Sequence, residues 1–354
     1  MSAFWTEPDW DEHERVEVVH HRASGLTAII ALHSTHLGPA AGGTRFWHYA
    51  EASGAMRDAL RLSRGMSFKN AMAGLPVGGG KAVVLLDKDG TKTPAMLEAF
   101  GDAVEALAGR YVTAEDVGAT EADMVAIAQR TAHVCGLPAQ AGDAGGDPGP
   151  FTAMGIYLGI KAAVAHKLGK ESMQGVRVAV QGCGSVGGGV ARLLAKDGAD
   201  LIVSDIDGRR AQELAREVGG EAVESDIVVG TSCDVFSPNA LGAILHDESI
   251  AQLNCAIVAG GANNQLARPE HGQQLHARDI LYAPDYVINA GGIINVSWEY
   301  LCRQDGKACD INEVRQRIAQ IPSRLQTIWD ASSAQGKPSN EVADAMAMEL
   351  IGRG

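Results

Sequence analysis

The sequence lacks the features that mark membrane proteins and nucleic-acid-binding proteins. No uninterrupted apolar run among its 354 residues reaches membrane-spanning length. The formal net charge is −13, and no Lys/Arg cluster is present to meet phosphates, which argues against a nucleic-acid or anionic-membrane partner. The six cysteines form no C-x-x-C pair, so reduced thiols that pack as small apolar groups are expected. A small-molecule partner is the remaining expectation.

The amino terminus lacks the basic start and apolar stretch of a secretory signal, so a cytoplasmic location is expected. His33 and His36 have a loose metal-ligand spacing but no acidic or cysteine neighbour, and no metal is predicted. Hydrophobic residues make up 46% of the chain, enough for a large core, and the length predicts two domains.

The chain does contain a glycine-rich turn between a predicted strand (176–181) and a predicted helix (191–196). The turn reads Gly182-Cys183-Gly184-Ser185-Val186-Gly187. Gly182 permits a tight turn, Gly184 lets the backbone approach a pyrophosphate, and Gly187 allows close helix packing. The helix amino terminus, with Ser185 and Val186, favours negative charge. The turn therefore predicts a dinucleotide site.

An acidic residue follows at the spacing that such a site requires. The next predicted strand, 201–205, ends in Asp205, roughly 20 residues beyond Gly182. A carboxylate there accepts the ribose diol of NAD and repels the extra phosphate of NADP. Arg209 and Arg210 follow and leave an alternative open, because they either reach a phosphate or lie solvated in the first turn of a helix. NAD is favoured.

The hydrophobic pattern predicts two α/β domains with a boundary in the turn-forming segment 141–150. We expect an N-terminal α/β catalytic domain (1–145, completed by a C-terminal helix within 328–354) and a Rossmann-type doubly wound NAD-binding domain (146–327), with the active site in the cleft between them. Predicted strands are 26–33, 82–87, 234–237, 256–259 and 286–289. Predicted helices are 51–69, 94–107, 152–167 and 340–351.

A second glycine run, Gly78-Gly79-Gly80, precedes Lys81. It fails the phosphate-loop pattern, because Leu75 stands where a glycine is needed and Ala82 where a Ser or Thr is needed. A lysine projecting from a glycine loop can lie close to a ligand, and burial there lowers its pKa toward the range of a general base. A surface lysine beside a flexible turn is the equally open alternative.

Several ordered motifs, spread over nearly the whole chain, resemble one family. The motifs are residues 37–45, 65–71, 78–81, 113–118, 150–155, the glycine turn, 261–265 and 283–292. With these motifs the sequence is similar to the amino acid dehydrogenases that act on leucine, valine and phenylalanine, which are relatives of glutamate dehydrogenase.

The resemblance implies reversible oxidative deamination of an L-amino acid by NAD to a 2-oxo acid and ammonium. By similarity, Lys81 is the general base that activates water, its pKa lowered partly by the neighbouring Lys69. Asp116 exchanges protons with the substrate nitrogen. Lys69 binds the substrate carboxylate together with the backbone at Gly43.

The resemblance also assigns residues that hold the substrate and the nicotinamide. Asn263 orients both by hydrogen bonds, Thr152 holds the carboxamide, and Asn289 belongs to the cofactor site. The structural alternatives are that Asn263 only caps a turn and that Thr152 only caps its helix.

The implied side-chain pocket consists of Ala41, Ala114, Ile293 and Val296, which are all apolar and offer no cation for a second carboxylate. Leucine, valine or isoleucine is therefore favoured over glutamate. Phenylalanine is the runner-up, because the Ala-Ala-Gly-Gly form at 40–43 is similar to phenylalanine enzymes. A catalytically silent NAD sensor is the non-enzymatic alternative. Members of the family form dimers and octamers, so a homo-oligomer is expected.

Overall fold

The computed structural model describes residues 4–139 and 142–354 of the chain. The chain divides into two compact units. The first comprises Met1–Asp147, Ile293–Val314 and Ala347–Gly354, and the second comprises Pro148–Gly292 and Arg315–Met346. The division differs from the expected domains at the carboxyl end, since 328–346 falls in the second unit and 293–314 in the first. Within the predicted boundary segment 141–150, residue 141 lies outside the described residues.

The first unit contains a five-stranded mixed sheet with the order β1-β2-β4-β3-β5. β1 and β2 pair antiparallel, β2 and β4 pair antiparallel, and β3 pairs parallel with both β4 and β5. The strands are β1 (Arg15–His21), β2 (Leu26–Ser34), β3 (Ala40–Trp47), β4 (Gly78–Leu85) and β5 (Tyr111–Glu115).

Helices cover this sheet, and the longest of them requires glycines beneath it. The helices are α1 (Ala52–Met72), α2 (Pro94–Glu105) and α3 (Glu121–Ile127), with a short 3₁₀ turn at Phe4–Thr6. A Cβ on Gly79 would overlap the backbone of Ser67 in α1. The predicted glycine loop is therefore wrong: Gly78–Gly80 forms the start of β4, because only a strand without side chains lets α1 pack this closely.

The second unit contains a six-stranded sheet with the order β11-β10-β9-β6-β7-β8, in which every neighbouring pair is parallel. This is the doubly wound arrangement of dinucleotide-binding folds, so the predicted fold class is confirmed. The strands are β6 (Arg177–Gln181), β7 (Asp200–Ser204), β8 (Glu221–Ala222), β9 (Val235–Pro238), β10 (Ile257–Val258) and β11 (Leu281–Tyr282).

One predicted strand of this unit, 286–289, is wrong. Residues Asp285–Ile288 form the helix α9, in which Asp285 accepts hydrogen bonds from the backbone of Gln265 and Tyr286. The edge strand is instead β11, just before it. An apolar run of four residues has no periodicity that separates a strand from a buried helical turn, so the sequence could not decide between them.

The other helices connect and cover the strands of the second sheet or follow the last strand. None of the helices in the described residues is long and apolar enough to cross a membrane. They are α4 (Gly149–Leu168), α5 (Ser185–Lys196), α6 (Gly208–Val218), α7 (Asp247–Gln252), α8 (His271–Ala277), α10 (Gly291–Gln304), α11 (Ile311–Ile318), α12 (Ile321–Gln335) and α13 (Ser339–Leu350), with a 3₁₀ turn at Val228–Gly230.

Candidate active site

The first unit brings Lys81 and Asp116 together across a glycine. The register of β3 with β4 places Gly43 opposite Lys81, and its register with β5 pairs Gly43 with Ala114. The Nζ of Lys81 lies 2.6 Å from the Oδ2 of Asp116, and only 7% of the lysine side chain is exposed. A Cβ on Gly43 would lie 2.8 Å from the Cβ of Asp116. The missing side chain at Gly43 therefore leaves the space in which the ion pair forms.

Arg45 adds a second cation to this pair, and sequence reasoning did not single it out. Its Nε lies 3.4 Å from the Oδ2 of Asp116, and its Nη1 lies 2.7 Å from the Oδ2 of Asp58 in α1. The hydroxyl of Tyr49 also donates to Asp58, at 2.7 Å. The only sequence signal was the position of Arg45, two residues beyond Gly43 and so on the same side of β3. Arg45 thereby ties the Asp116 carboxylate to helix α1.

The pKa of Lys81 is lowered, first because the amine is buried and further because Arg45 is a nearby cation, while Asp116 opposes both. The pKa of Asp116 is also lowered. Burial acts to raise it, but the charges of Lys81 and Arg45 outweigh burial. The carboxylate is therefore ionised at neutral pH, and the amine loses its proton at lower pH than a solvated lysine. Arg45 is thus one cation that lowers the pKa of Lys81, and the effect predicted for Lys69 stays a prediction.

The other predicted substrate residues, apart from Asn263, also lie in this unit. Lys69 is half-buried in the last turn of α1, the helix packed on β4. Ala41 is buried two residues before Gly43 on β3. The segment 135–136 lies between β5 and Val296. The backbone N–H of Cys135 donates to the carbonyl of Thr113, the neighbour of Ala114 in β5, at 2.7 Å. A Cβ on Gly136 would lie 3.7 Å from the side chain of Val296. Ile293 precedes Val296 by three residues on α10, which puts both on one helix face.

In the second unit, the glycine turn has the geometry that its sequence predicts. Gly182 has a φ of +92°, in the region that favours glycine. A Cβ on Gly187 would overlap the carbonyl oxygen of Gly182, whereas a Cβ on Gly184 would meet no atom within 4 Å. Gly184 is the N-cap of α5, so the first backbone N–H groups of the helix, at Ser185 and Val186, have no capping side chain. The turn thus combines tight packing at its base with open space at its tip.

Asp205 lies directly after β7 and holds this turn. Its Oδ2 accepts a hydrogen bond from the backbone N–H of Cys183 at 2.7 Å, and its Oδ1 accepts one from Asp207 at 2.9 Å. The guanidinium of Arg210 lies 3.8 Å from the carboxylate, while Arg209 is exposed in the first turn of α6. A carboxylate offers about four acceptor positions, so two remain for a ligand.

Two exposed apolar side chains lie at the ends of the strands that flank β6. Ile206 follows Asp205 and is 95% exposed, and Leu241 follows the end of β9 and is 81% exposed. Isolated exposed side chains are ordinary, but these two accompany the open glycine turn and the acid at the carboxyl edge of a doubly wound sheet. The residues present therefore fit an adenine dinucleotide, whose base needs apolar contacts and whose pyrophosphate needs the helix terminus.

Asn263 and Asn289 lie together in this unit. The amide group of Asn289 donates to Asn263 Oδ1 at 2.8 Å and to the carbonyl of Gly261 at 3.1 Å. Asn263 is exposed and keeps two N–H donors on its own amide. Thr152 lies inside α4 rather than at its cap, and its hydroxyl donates to the carbonyl of Pro148 at 2.9 Å.

Comparisons with known proteins agree over almost the whole chain. Residues 13–133 match the family model described as Glu/Leu/Phe/Val dehydrogenase, dimerisation domain, and residues 209–352 match the model Glutamate/Leucine/Phenylalanine/Valine dehydrogenase. The leucine dehydrogenase of Geobacillus stearothermophilus is 45% identical, covering 96% of this chain and 91% of that protein. The valine dehydrogenase of Streptomyces virginiae is 41% identical, covering 97% and 95%. The crystal structure of L-tryptophan dehydrogenase from Nostoc punctiforme aligns with a TM-score of 0.83 at 40% identity, covering 96% of each chain.

The two glycines of the turn give a matched test of dinucleotide binding. We expect Gly184→Ala to leave the free energy of unfolding within about 0.5 kcal/mol of the wild type, because its Cβ has space. The same methyl group stands where a pyrophosphate approaches, so NADH affinity should fall about tenfold or more, which is about 1.4 kcal/mol. Gly187→Ala should instead lower stability by about 1–3 kcal/mol. Denaturant titration and NADH fluorescence measure both quantities, and unchanged NADH affinity in Gly184→Ala would contradict a site at this turn.

Proposed function

Because the chain belongs to the Glu/Leu/Phe/Val dehydrogenase family, whose members are oxidoreductases, we propose that it catalyses the NAD-dependent oxidative deamination of an apolar L-amino acid. The products are the 2-oxo acid and ammonium, and the reaction is reversible. The observation that carries the proposal is the buried pair of Lys81 and Asp116, since an amine with a lowered pKa beside an ionised carboxylate is suited to moving protons.

The proposed cofactor is NAD, bound by the second unit. When bound, it accepts the hydride from the substrate α-carbon. The backbone N–H groups at the start of α5 would bind the pyrophosphate, and the Asp205 carboxylate would accept hydrogen bonds from the ribose hydroxyls. The guanidinium of Arg210 lies beside the Asp205 carboxylate, which offsets its positive charge. Arg210 is therefore not proposed to bind the 2′-phosphate of NADP, and NAD is the preferred cofactor. Asn263, fixed by Asn289, and Thr152 are proposed to orient the nicotinamide end.

The acid–base steps belong to the first unit. Lys69 and the backbone of Gly43 hold the substrate carboxylate, because a fixed ammonium makes a strong charge-assisted hydrogen bond to it. Asp116 accepts a proton from the substrate ammonium. Neutral Lys81 then takes a proton from water as the oxygen attacks the imine carbon. Asp116 returns its proton to the nitrogen and, as ammonia leaves, takes the hydroxyl proton, so that the carbonyl of the 2-oxo acid forms. Arg45 keeps the Asp116 carboxylate in place.

The proposed substrates are leucine, valine and isoleucine. Ala41, Ala114, Ile293 and Val296 give the pocket an apolar lining, and the similarity to leucine and valine dehydrogenases supports the branched-chain choice. An aromatic substrate is the second candidate. The small side chains of Ala41 and Ala114 leave room for a ring, and the tryptophan dehydrogenase of Nostoc punctiforme is 40% identical to this chain. The chain is also proposed to form a homo-oligomer, a dimer or an octamer, supported by the dimerisation-domain model that matches 13–133.

Replacing the two lysines should separate catalysis from binding. We expect Lys81→Ala to lower kcat by about 10²- to 10⁴-fold while NADH still binds, because a positioned base contributes about that much. Lys69→Ala should mainly raise the KM for the amino acid, by roughly 10- to 100-fold, through the loss of a charged hydrogen bond. Steady-state kinetics and NADH titration measure these effects. Full turnover in Lys81→Ala would contradict the role of Lys81 as the base. The absence of turnover with any L-amino acid in the wild type would favour the NAD-sensor alternative.

Arg45→Gln should move the acidic limb of the kcat/KM profile toward higher pH. Arg45 lowers the pKa of both Lys81 and Asp116, so its removal raises both, and the lysine is neutral only at higher pH. Arg61→Gln is the matched control, since Arg61 also pairs with Asp58, at 3.1 Å, but is exposed. Arg45→Lys should restore part of the wild-type profile. An unshifted limb in Arg45→Gln, with kcat/KM unchanged, would show that Arg45 does not act on the pair.

A substrate panel tests the pocket. We expect kcat/KM for leucine, valine and isoleucine to lie within roughly 10- to 200-fold of one another, because one methylene contributes only about 1–3 kcal/mol. Glutamate should be the poorest substrate, since burying its second carboxylate in an apolar pocket is unfavourable. NADH absorbance with leucine, valine, isoleucine, phenylalanine, tryptophan and glutamate measures the ranking. Preference for either aromatic amino acid would replace the branched-chain proposal with the second candidate.

A further inference from the structure

Two cysteines of the second unit lie just before neighbouring parallel strands. Cys233 lies two residues before Val235 at the start of β9, and Cys255 lies two residues before its partner Ile257 at the start of β10. The backbone N–H of Cys233 donates to the carbonyl of Asn254 at 3.1 Å, so the two segments lie side by side at the cysteines. Both cysteines are free thiols and half-buried.

The separation of these cysteines suits a disulfide. Neighbouring strands lie about 4.8 Å apart, and a disulfide joins Cα atoms about 4.4–6.8 Å apart. Little backbone movement is therefore needed to bring the sulfurs into bonding distance.

The surroundings make the two thiols unequal. The neighbouring Cys233 thiol lowers the pKa of Cys255. Burial opposes this, while the backbone N–H groups of Phe236 and Ile257 and the charge of Arg278 lower the pKa further. Arg278 donates to the carbonyls of Ile250 and Leu253. The pKa of Cys233 is raised by the neighbouring Cys255 thiol, by burial and by the charge of Asp234. Cys255 thus has the properties of an attacking thiolate, and Cys233 those of a resolving thiol.

We propose that Cys233 and Cys255 form a redox-modification site, in which Cys255 reacts with a low-molecular-weight disulfide and Cys233 completes an intramolecular disulfide. The Cys255 thiolate attacks one sulfur of the disulfide RSSR, forming a mixed disulfide and releasing RS⁻. Cys233 gives its proton to RS⁻ and attacks the Cys255 sulfur, releasing the second RS⁻, which takes a proton from water. The two protein sulfurs are oxidised and RSSR is reduced to two thiols.

A second neighbouring pair provides an internal contrast. Cys302 and Cys309 are both buried, the Cys309 thiol donates to the carbonyl of Trp298 at 3.3 Å, and burial raises the pKa of Cys309. Cys135 is likewise buried with a raised pKa. These three should react much more slowly than Cys255, since thiolate character and access control the exchange rate.

The test uses the full-length protein, reduced and then incubated with oxidised glutathione, with remaining thiols alkylated and mapped by peptide mass spectrometry. We expect a Cys233–Cys255 disulfide in the wild type, a glutathione adduct on Cys255 in Cys233→Ser, and neither product in Cys255→Ser. The double variant Cys302→Ser/Cys309→Ser should behave like the wild type. Circular dichroism confirms that each variant is folded.

Three outcomes would overturn the proposal. The first is that Cys233 and Cys255 remain fully alkylatable in the folded wild type after glutathione treatment. The second is that Cys302 and Cys309 oxidise first. The third is that the adduct in Cys233→Ser lies on another cysteine or forms no faster than at Cys135. None of these readouts depends on turnover of an amino acid, so they are independent of the proposed deamination.

Discussion

The ion pair between Lys81 and Asp116 is the interaction on which the proposed chemistry depends, and it exists because Gly43 has no side chain. The lysine comes from one strand and the carboxylate from the end of another, with β3 between them. A charge pair that is largely removed from water is stable only when additional polar groups satisfy it. Arg45 adds a second positive charge beside the carboxylate, and through Asp58 it anchors the pair to α1. The position of the ion pair thus depends on the strands of the first sheet, on helix α1 and on Gly43 together.

Glycines have two different physical roles in the two units. At Gly79 and Gly187 they permit close packing of backbone against backbone, and a methyl group there would overlap a neighbouring segment. At Gly184 the space is open, so packing within the protein does not explain the glycine. Only the second role points to a ligand, and it occurs beside an uncapped helix terminus where an anion is favoured.

Much of the fold and of the candidate site could be predicted from the sequence, because the hydrophobic pattern, the turn residues and the spacing of the acid all indicate the same structure there. Residues 176–205 combine a buried strand, a glycine turn, a helix and an acid, and each element reinforces the others. Gly78–Gly80 was wrongly predicted as a loop, because glycine favours turns locally and the helix that covers β4 is visible only in three dimensions. Arg45 and the cysteine pair were missed for the same reason: their partners are distant in sequence, and strand register brings them together.

The double use of Asp205 has a consequence for any change of cofactor preference. Its carboxylate accepts backbone hydrogen bonds from Cys183 and Asp207, so it shapes the glycine turn in addition to its proposed contact with the ribose. Replacing the acid with a neutral residue, in order to admit a phosphorylated ribose, also removes the support of the turn. Redesign toward the phosphorylated cofactor therefore has to rebuild this loop at the same time, and an amide that retains one acceptor oxygen is a gentler first step than an alanine.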